Sequence, residues 1–463
     1  MAKLKTAYFC TECGNETLRW QGQCPACGAW NTLAEEPVAR RSRRGGNARS
    51  GPGRGPVGVG GSAAAPVRLA EVEGREASRW SSGLAEFDYV LGGGVVPGSL
   101  VLVGGEPGIG KSTLLLQVAA NLEGAGQRTL YVSGEESAMQ VRLRAERLGA
   151  GAGDVTFLAE TDLDAILART AEHRPAVLFI DSIQTVYTPD LEGAPGNVTQ
   201  VRECAARLQR FAKESNVTVF LVGHVTKGGT VAGPKTLEHI VDTVLYFEGA
   251  GGFDHRVLRA TKNRFGGVDE IGVFRMSAAG LVPVPNPSAL FLGERRGGVS
   301  GAAVVATIEG TRPLLVEVQA LCTRTAYGAA QRVSTGYDRQ RLALLLAVLE
   351  KRAGIPFGQL DVFVNVVGGV RLAETAGDLA LATALVSSVY DRPVPDDAVF
   401  VGEVGLGGEL RSVGQIERRL VEAGRMGFGT VYLPRRAVPQ RAPAGVRVTG
   451  VDDVQQLLKI LFP

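Results

Sequence analysis

Gly105-Glu106-Pro107-Gly108-Ile109-Gly110-Lys111-Ser112-Thr113 decides the fold of this chain. The run fits the pattern G-x-x-x-x-G-K-[ST]. It lies between an apolar stretch, Leu100 to Val103, and a segment with helical apolar spacing over 113–122. A strand, a glycine-rich loop and a helix in that order let backbone N–H groups at a helix N-terminus wrap anionic phosphates. Lys111 is then expected to reach the β- and γ-phosphates and the Ser112 hydroxyl to ligate Mg²⁺, with Gly105 to Thr113 forming the cradle. The substrate expected here is a nucleoside triphosphate.

Outward from this loop, short apolar runs alternate with amphipathic segments from about 78 to 285: TLYVSG, a helix over 137–148, VLFIDS, a helix over 198–213, and VTVFLVGH. Such alternation predicts a parallel sheet flanked by helices. Thr243–Phe247 and Arg256–Thr261 read as a hairpin. In Val177-Leu178-Phe179-Ile180-Asp181 an apolar strand ends in a carboxylate, which places Asp181 to hold Mg²⁺ through water at the carboxyl end of the sheet. Tyr131-Val132-Ser133-Gly134-Glu135-Glu136 brings two more carboxylates to that rim. Glu135 is the candidate for activating the attacking water; acids placed at a helix start for its dipole are the alternative, more so for Glu136.

Strand Val217–Val222 leads to Gly223-His224, so His224 is a candidate sensor of the γ-phosphate, with a structural histidine as the competing reading. The loop after it carries Lys227 and Lys235. These suit contact with nucleic-acid phosphates and equally suit a solvated loop. Lys262-Asn263-Arg264-Phe265-Gly266 puts two cations at the end of a strand, where Lys262 and Arg264 could neutralise a transferring γ-phosphate, in cis or from a neighbouring subunit; a basic surface turn is the bland alternative. His173, His239 and His255 have no metal-ligand spacing and read as structural.

The flanks differ in kind. Four of the six cysteines fall in the first 27 residues as Cys10-x-x-Cys13 and Cys24-x-x-Cys27. That is the spacing of a tetrahedral four-thiolate site in which zinc is structural, with Gly14 and Gly28 easing the turns; redox pairs or unmodified thiols are the alternative. This module spans 1–34. Residues 35–77 form a linker whose stretch from 37 to 66 has six arginines and no acid, too few apolar groups to offset ordering entropy. Residues 286–463 carry a second α/β pattern, with helices expected over Arg339–Lys351, Ala376–Val389 and Gln415–Gly424. With 45% hydrophobic and 21% charged residues, the 463-residue chain has the composition of a core-forming protein of several domains. A net charge of +3 restricts any nucleic-acid surface to a local patch. The longest aliphatic run, Leu342 to Leu349, falls far short of a membrane span, and the chain reads as cytoplasmic.

Together, Gly92-Gly93-Gly94-Val95-Val96-Pro97-Gly98-Ser99, the Ser133-to-Ser137 run, Gly223-His224-Val225-Thr226-Lys227 and Lys262-to-Gly266 resemble the bacterial RadA (Sms) DNA-repair family over essentially the whole chain. The resemblance implies a zinc module, a RecA-like ATPase core over 78–285 and a C-terminal domain over 286–463 similar to the Lon protease domain. It also implies that Glu135 activates water, that Lys262 and Arg264 act at the ATP site of the adjacent subunit, and that the chain forms a hexameric ring on single-stranded and branched DNA. Its activity would be DNA-dependent ATP hydrolysis driving translocation, helicase action and branch migration in recombinational repair, with the RecA recombinase as a partner. Lon-type peptidases use a Ser–Lys dyad. The matching places here hold Ala376 and Glu417, so no peptidase activity is expected and the domain is read as a scaffold for assembly or for DNA, with Arg411, Arg418 and Arg419 as available cations. A regulatory ATPase of the KaiC type is the alternative, and it would require no zinc module.

Overall fold

The computed structural model describes residues 6–10, 16–17, 19–26, 28–37, 79–149, 152–224, 234–249, 255–293, 295–325 and 328–463. Cys13, Cys27, Lys227 and residues 38–77 of the expected linker lie outside them, whereas residues 35–37, expected in that linker, belong to a paired strand. The chain divides into two compact units, Met1–Gly83 with Gly93–Val244, and Leu84–Gly92 with Leu245–Pro463.

In the first unit, β1 (Thr6–Cys10) pairs antiparallel with β2 (Glu16–Thr17) and with β3 (Leu33–Pro37). The chain then makes α1 (Ala85–Leu91), which belongs to the second unit. The alternation expected from the sequence follows as β4 (Leu100–Gly105), α2 (Lys111–Gly124), β5 (Thr129–Ser133), α3 (Ala138–Leu148), β6 (Thr156–Ala159), α4 (Leu163–His173), β7 (Val177–Asp181), α5 (Val198–Ser215) and β8 (Thr218–His224). The strands lie in the order β4, β8, β7, β5, β6, and every pairing among them is parallel. β4, β5 and β7 are buried throughout, as a sheet covered on both faces requires. Register aligns Tyr131, Phe179 and Phe220 across three strands, and their rings stack at 5.9 and 5.2 Å. Local chemistry sets the helix starts. Ser137 and Gln140 form a reciprocal capping box on α3, Asp162 accepts from Asp164 N–H at α4, and Asn197 accepts from Gln200 N–H at α5. β6 is half exposed, so it lacks the apolar run that announces the other strands.

β9 (Thr243–Glu248) carries the chain into the second unit. There β10 (His255–Asn263), β11 (Ile271–Ser277) and β12 (Gly280–Pro283) form an antiparallel meander. After α6 (Pro287–Leu292) come β13 (Ala302–Glu309), β14 (Arg312–Arg324), β15 (Arg332–Thr335), α7 (Arg339–Ala353), β16 (Leu360–Val366), α8 (Asp378–Tyr390), β17 (Ala398–Phe400), the short pair β18 (Glu403–Val404) and β19 (Leu410–Arg411), α9 (Ile416–Arg425), β20 (Thr430–Pro434), β21 (Arg447–Val451) and α10 (Val454–Leu461). The mixed seven-stranded sheet runs β15, β16, β14, β13, β17, β20, β21. Period-two alternation on β13 sends Ala303 and Val305 into one core with residues of α7, α8 and α10, and Val304 and Ala306 into another with residues of α9. The first of these cores also takes Ile271 and Val273 from β11.

One ion pair ties α1 into this unit. Arg312 donates from both Nη atoms to the Glu86 carboxylate, at 2.5 and 2.8 Å, and Val273 N–H donates to the same carboxylate. Gly272 has no side chain because a Cβ there would lie 2.6 Å from the Glu86 carbonyl oxygen.

Candidate functional site

The parallel register gathers the functional side chains at the carboxyl ends of the strands. Gly105 at the end of β4 lies opposite His224 on β8, and Ser133 on β5 lies opposite Asp181 on β7. Between β4 and α2 the loop is held open by backbone conformations that favour glycine: φ is 75° at Gly108 and 116° at Gly110, which caps α2. Glu106, Pro107 and Gly108 are exposed and Ile109, Gly110, Ser112 and Thr113 are half-buried, so the loop presents its backbone outward.

Lys111 is buried and folded back, its Nζ donating to Gly105 O at 2.9 Å and Glu106 O at 2.8 Å. Burial pulls its pKa down to about 8, against the opposing pull of Asp181 and Glu135. Anionic phosphates placed in the loop would favour the charged form. Asp181 is buried, and burial raises its pKa, against hydrogen bonds from Tyr131 and Ser112; the Tyr131 hydroxyl donates to Oδ2 at 2.7 Å. Ser112, at the start of α2, and Asp181, at the end of β7, thus act on one another, and they offer a hydroxyl and a carboxylate to a hard cation. A desolvated carboxylate beside a serine hydroxyl is a hard oxygen donor set of the kind that Mg²⁺ takes.

Glu135 stands at the same rim. Its Oε1 accepts from the Ser182 hydroxyl and lies 3.4 Å from His224 Nε2. His224 lowers the Glu135 pKa, burial raises it, and Ser182 with Lys111 lowers it further, leaving it below the ordinary carboxylate range. Glu135 is therefore ionised at neutral pH and able to accept a proton. Neither ring nitrogen of His224 makes a well-formed hydrogen bond among the described residues. Glu136 differs from its neighbour: it is half-buried and pairs with Arg144, rather than standing as a solvated acid at a helix start. Sequence reasoning overlooked Tyr131 and Ser182, although Ser182 is the first residue beyond the strand that ends in Asp181.

Other candidates fall elsewhere. Lys235 is exposed in a short turn, Pro234–Thr236. Lys262 and Arg264 belong to the second unit, at the end of β10. There Asn263 Oδ1 accepts from Phe265 N–H, Asn263 Nδ2 donates to Val90 O, and a Cβ on Gly266 would lie 2.8 Å from Gly92 Cα. The asparagine and glycine thus shape a turn packed on the end of α1, and Arg264 is exposed on it. At the N-terminus Cys10 and Cys24 are buried in one small cluster with Leu33. Gly28 N–H bonds back to Cys24 O at φ 72°, the tight turn expected after a chelating pair. Two thiols sequestered together, each followed by a second cysteine three positions on, fit a zinc site.

In the C-terminal part, Ala376 is fully buried in a short turn, and Glu417 is exposed on the first turn of α9. The structure corrects one expectation: Arg419 is not an available cation. It is 2% exposed, binds both oxygens of Glu374 at 2.7 and 2.6 Å, and donates to Ala306 O and Gly414 O. Arg411 pairs with Glu409 and Arg418 donates to Thr311 O.

Family models match three stretches: a rubredoxin metal binding domain over residues 8–35, an AAA domain over 68–230 and a Lon protease (S16) C-terminal proteolytic domain over 355–463. DNA repair protein RadA of Pseudomonas aeruginosa is 51% identical over 462 residues, covering all of both chains. Its namesakes in Streptococcus pyogenes and Bacillus subtilis are 49% and 47% identical over essentially the full length. A solved KaiC-like protein from Pyrococcus horikoshii overlays 45% of this chain and all of its own, at 22% identity and a TM-score of 0.39. No helix among the described residues is long and apolar enough to cross a membrane.

Proposed function

The chain belongs to the RadA family of DNA repair proteins, and from that premise we propose that it is a DNA-dependent ATPase that forms a hexameric ring and moves along single-stranded DNA. The observation that carries this reading is the convergence of Lys111, Ser112, Asp181, Glu135 and His224 at the carboxyl ends of one parallel sheet.

ATP enters with its phosphates against the exposed backbone of 105–110 at the N-terminus of α2. Lys111 exchanges its two carbonyl acceptors for β- and γ-phosphate oxygens. Ser112 and Asp181 are the residues that would hold Mg²⁺, and the ion would supply neutralisation of phosphate charge. Glu135 accepts a proton from the water that attacks the γ-phosphorus, and His224, its ring poised but poorly bonded, senses whether that phosphate is present. Lys262 and Arg264 of a neighbouring subunit complete the positive surround.

Lys227 and Lys235, which follow β8 in the sequence, hold the DNA strand. Cys10, Cys13, Cys24 and Cys27 would hold zinc, which would keep the N-terminal module folded. The Lon-like segment acts without peptidase chemistry, because Ala376 has no nucleophile and Glu417 no amine to activate one. Processing of branched recombination intermediates in concert with the RecA recombinase, in the cytoplasm, completes the proposal.

The test is the ATPase rate with and without single-stranded DNA, with sizing in the same nucleotide state. Strong stimulation by DNA in a ring-sized species supports a motor. Turnover indifferent to DNA would point to a regulatory ATPase instead.

A further inference from the structure

We propose that Ser182 is a positioning residue for hydrolysis: its hydroxyl fixes one carboxylate oxygen of Glu135 so that the other faces the attacking water. The proposal rests on the reading of Glu135 as the group that activates water.

The hydroxyl has one proton to give, and it gives it to Glu135 Oε1. Ser182 itself is fully buried and held from several sides. Its carbonyl accepts from Thr185 N–H at 3.1 Å and from Thr185 Oγ1 at 2.8 Å, closing a tight turn just beyond β7. The next residue, Ile183, donates its N–H to Val222 O on β8, two positions before His224. An anchor tied down in this way does not follow the glutamate; the glutamate must come to it.

The strand end that carries Glu135 is built for that approach. Gly134 N–H donates to Asp181 O at 3.2 Å. A Cβ on Gly134 would stand 2.4 Å from Thr185 Oγ1 and 2.6 Å from Thr161 Cγ2, inside any real contact distance. Only glycine lets the 133–135 backbone lie against the Ser182–Thr185 turn, and that contact delivers the Glu135 carboxylate to the serine hydroxyl. With Oε1 engaged by Ser182 and near His224 Nε2, Oε2 is the oxygen left to accept the water proton. Asp181 and Ser182 are consecutive, so one turn sets both the metal-binding carboxylate and the orientation of the base. A general base that is free to rotate spends part of its time misdirected, and fixing it contributes to kcat without contributing to nucleotide binding.

The experiment compares Ser182→Ala, Ser182→Thr, Gly134→Ala and Glu135→Gln in the full-length protein. It measures kcat and KM for ATP at saturating single-stranded DNA, affinity for a fluorescent ATP analogue, and melting temperature. Ser182→Ala should lower kcat about tenfold or more, the scale of a hydrogen bond to a charged group, while KM and analogue affinity stay within about twofold. Ser182→Thr keeps the hydroxyl and should retain most of the turnover. Gly134→Ala should reproduce the kcat defect from the other side of the contact. Normal kcat in Ser182→Ala, with Glu135→Gln inactive, would overturn the positioning role and leave the role of Glu135 standing. A Ser182→Ala protein that lost analogue affinity in step with kcat would equally overturn it, since the residue would then be structural. A Glu135→Gln protein with near-normal turnover would instead remove the reading on which the proposal rests.

Discussion

Replacing Arg419 with methionine tests whether this arginine belongs to the fold or to a DNA surface. The guanidinium is 2% exposed and its partner Glu374 is 30% exposed. It makes two charge-assisted bonds to that carboxylate and two more to the carbonyls of Ala306 and Gly414. Methionine fills much of the volume but leaves Glu374 with only the Thr307 hydroxyl and Ile308 N–H. Removing one member of a buried pair costs about 3–5 kcal/mol, and the partial exposure of Glu374 argues for about 3. At ~2–4 °C per kcal/mol for a unit of this size, the melting transition of the C-terminal unit should fall by roughly 6–12 °C, read by calorimetry at neutral pH. Burial pushes the Glu374 carboxyl up, but Arg419 and the backbone donor outweigh it and hold the pKa below the usual range. The stabilisation is therefore complete above the unfolded value, about 4.3, and is lost as pH falls through the lower folded value, so wild type and variant should converge in acid. DNA affinity and its salt slope, measured below the transition, should be unchanged. An unchanged melting temperature together with a salt slope reduced by about one would refute the reasoning and return Arg419 to the DNA surface.

Lys111→Ala should lower ATP turnover by about a hundredfold or more, the scale of losing one preorganised charge contact, while circular dichroism and melting stay close to wild type. Protein purified under reducing conditions without chelator should contain one zinc per chain by atomic absorption, and its removal should unfold the 1–34 module as seen by proteolysis. Inactive Arg264→Ala and inactive Lys111→Ala subunits, once mixed, should regain partial ATPase activity because some interfaces pair an intact loop with an intact arginine; no recovery in verified mixed rings would place Arg264 in cis. Deleting residues 288–463 removes Arg312 from Glu86 and uncovers the buried Ile271 and Val273, so the truncated protein should bind a hydrophobic dye and aggregate on sizing.

The ATPase half of the fold was legible because its signals are local. The strand, loop and helix around Gly105 to Thr113, and the carboxylate that ends β7, each announce themselves within ten residues or so. Parallel strands buried on both faces are continuous apolar runs, and those were found; β6 is half exposed and carries no such run. What the sequence hides is pairing across distance. Glu86 and Arg312 are 226 positions apart, and no spacing rule connects them. Arg419 reads as one of two adjacent surface cations until packing reveals that it shares the inward face of α9 with Leu420 and Ala423; its place one residue before Leu420 and four before Ala423 was the available hint. Ser182 was missed for a different reason: a hydroxyl next to a recognised acid attracts no notice until a second carboxylate is seen to need orienting.

The short helix α1 has a consequence for the history of the gene. The chain passes between its two compact units at residues 83/84, 92/93 and 244/245, so no single breakpoint separates one from the other. A premature stop before residue 288 would leave α1, made early in synthesis, with the carboxylate of Glu86 and no arginine to receive it. The C-terminal segment thus supplies the partner of a helix made some two hundred residues before it, whatever chemistry it carries itself.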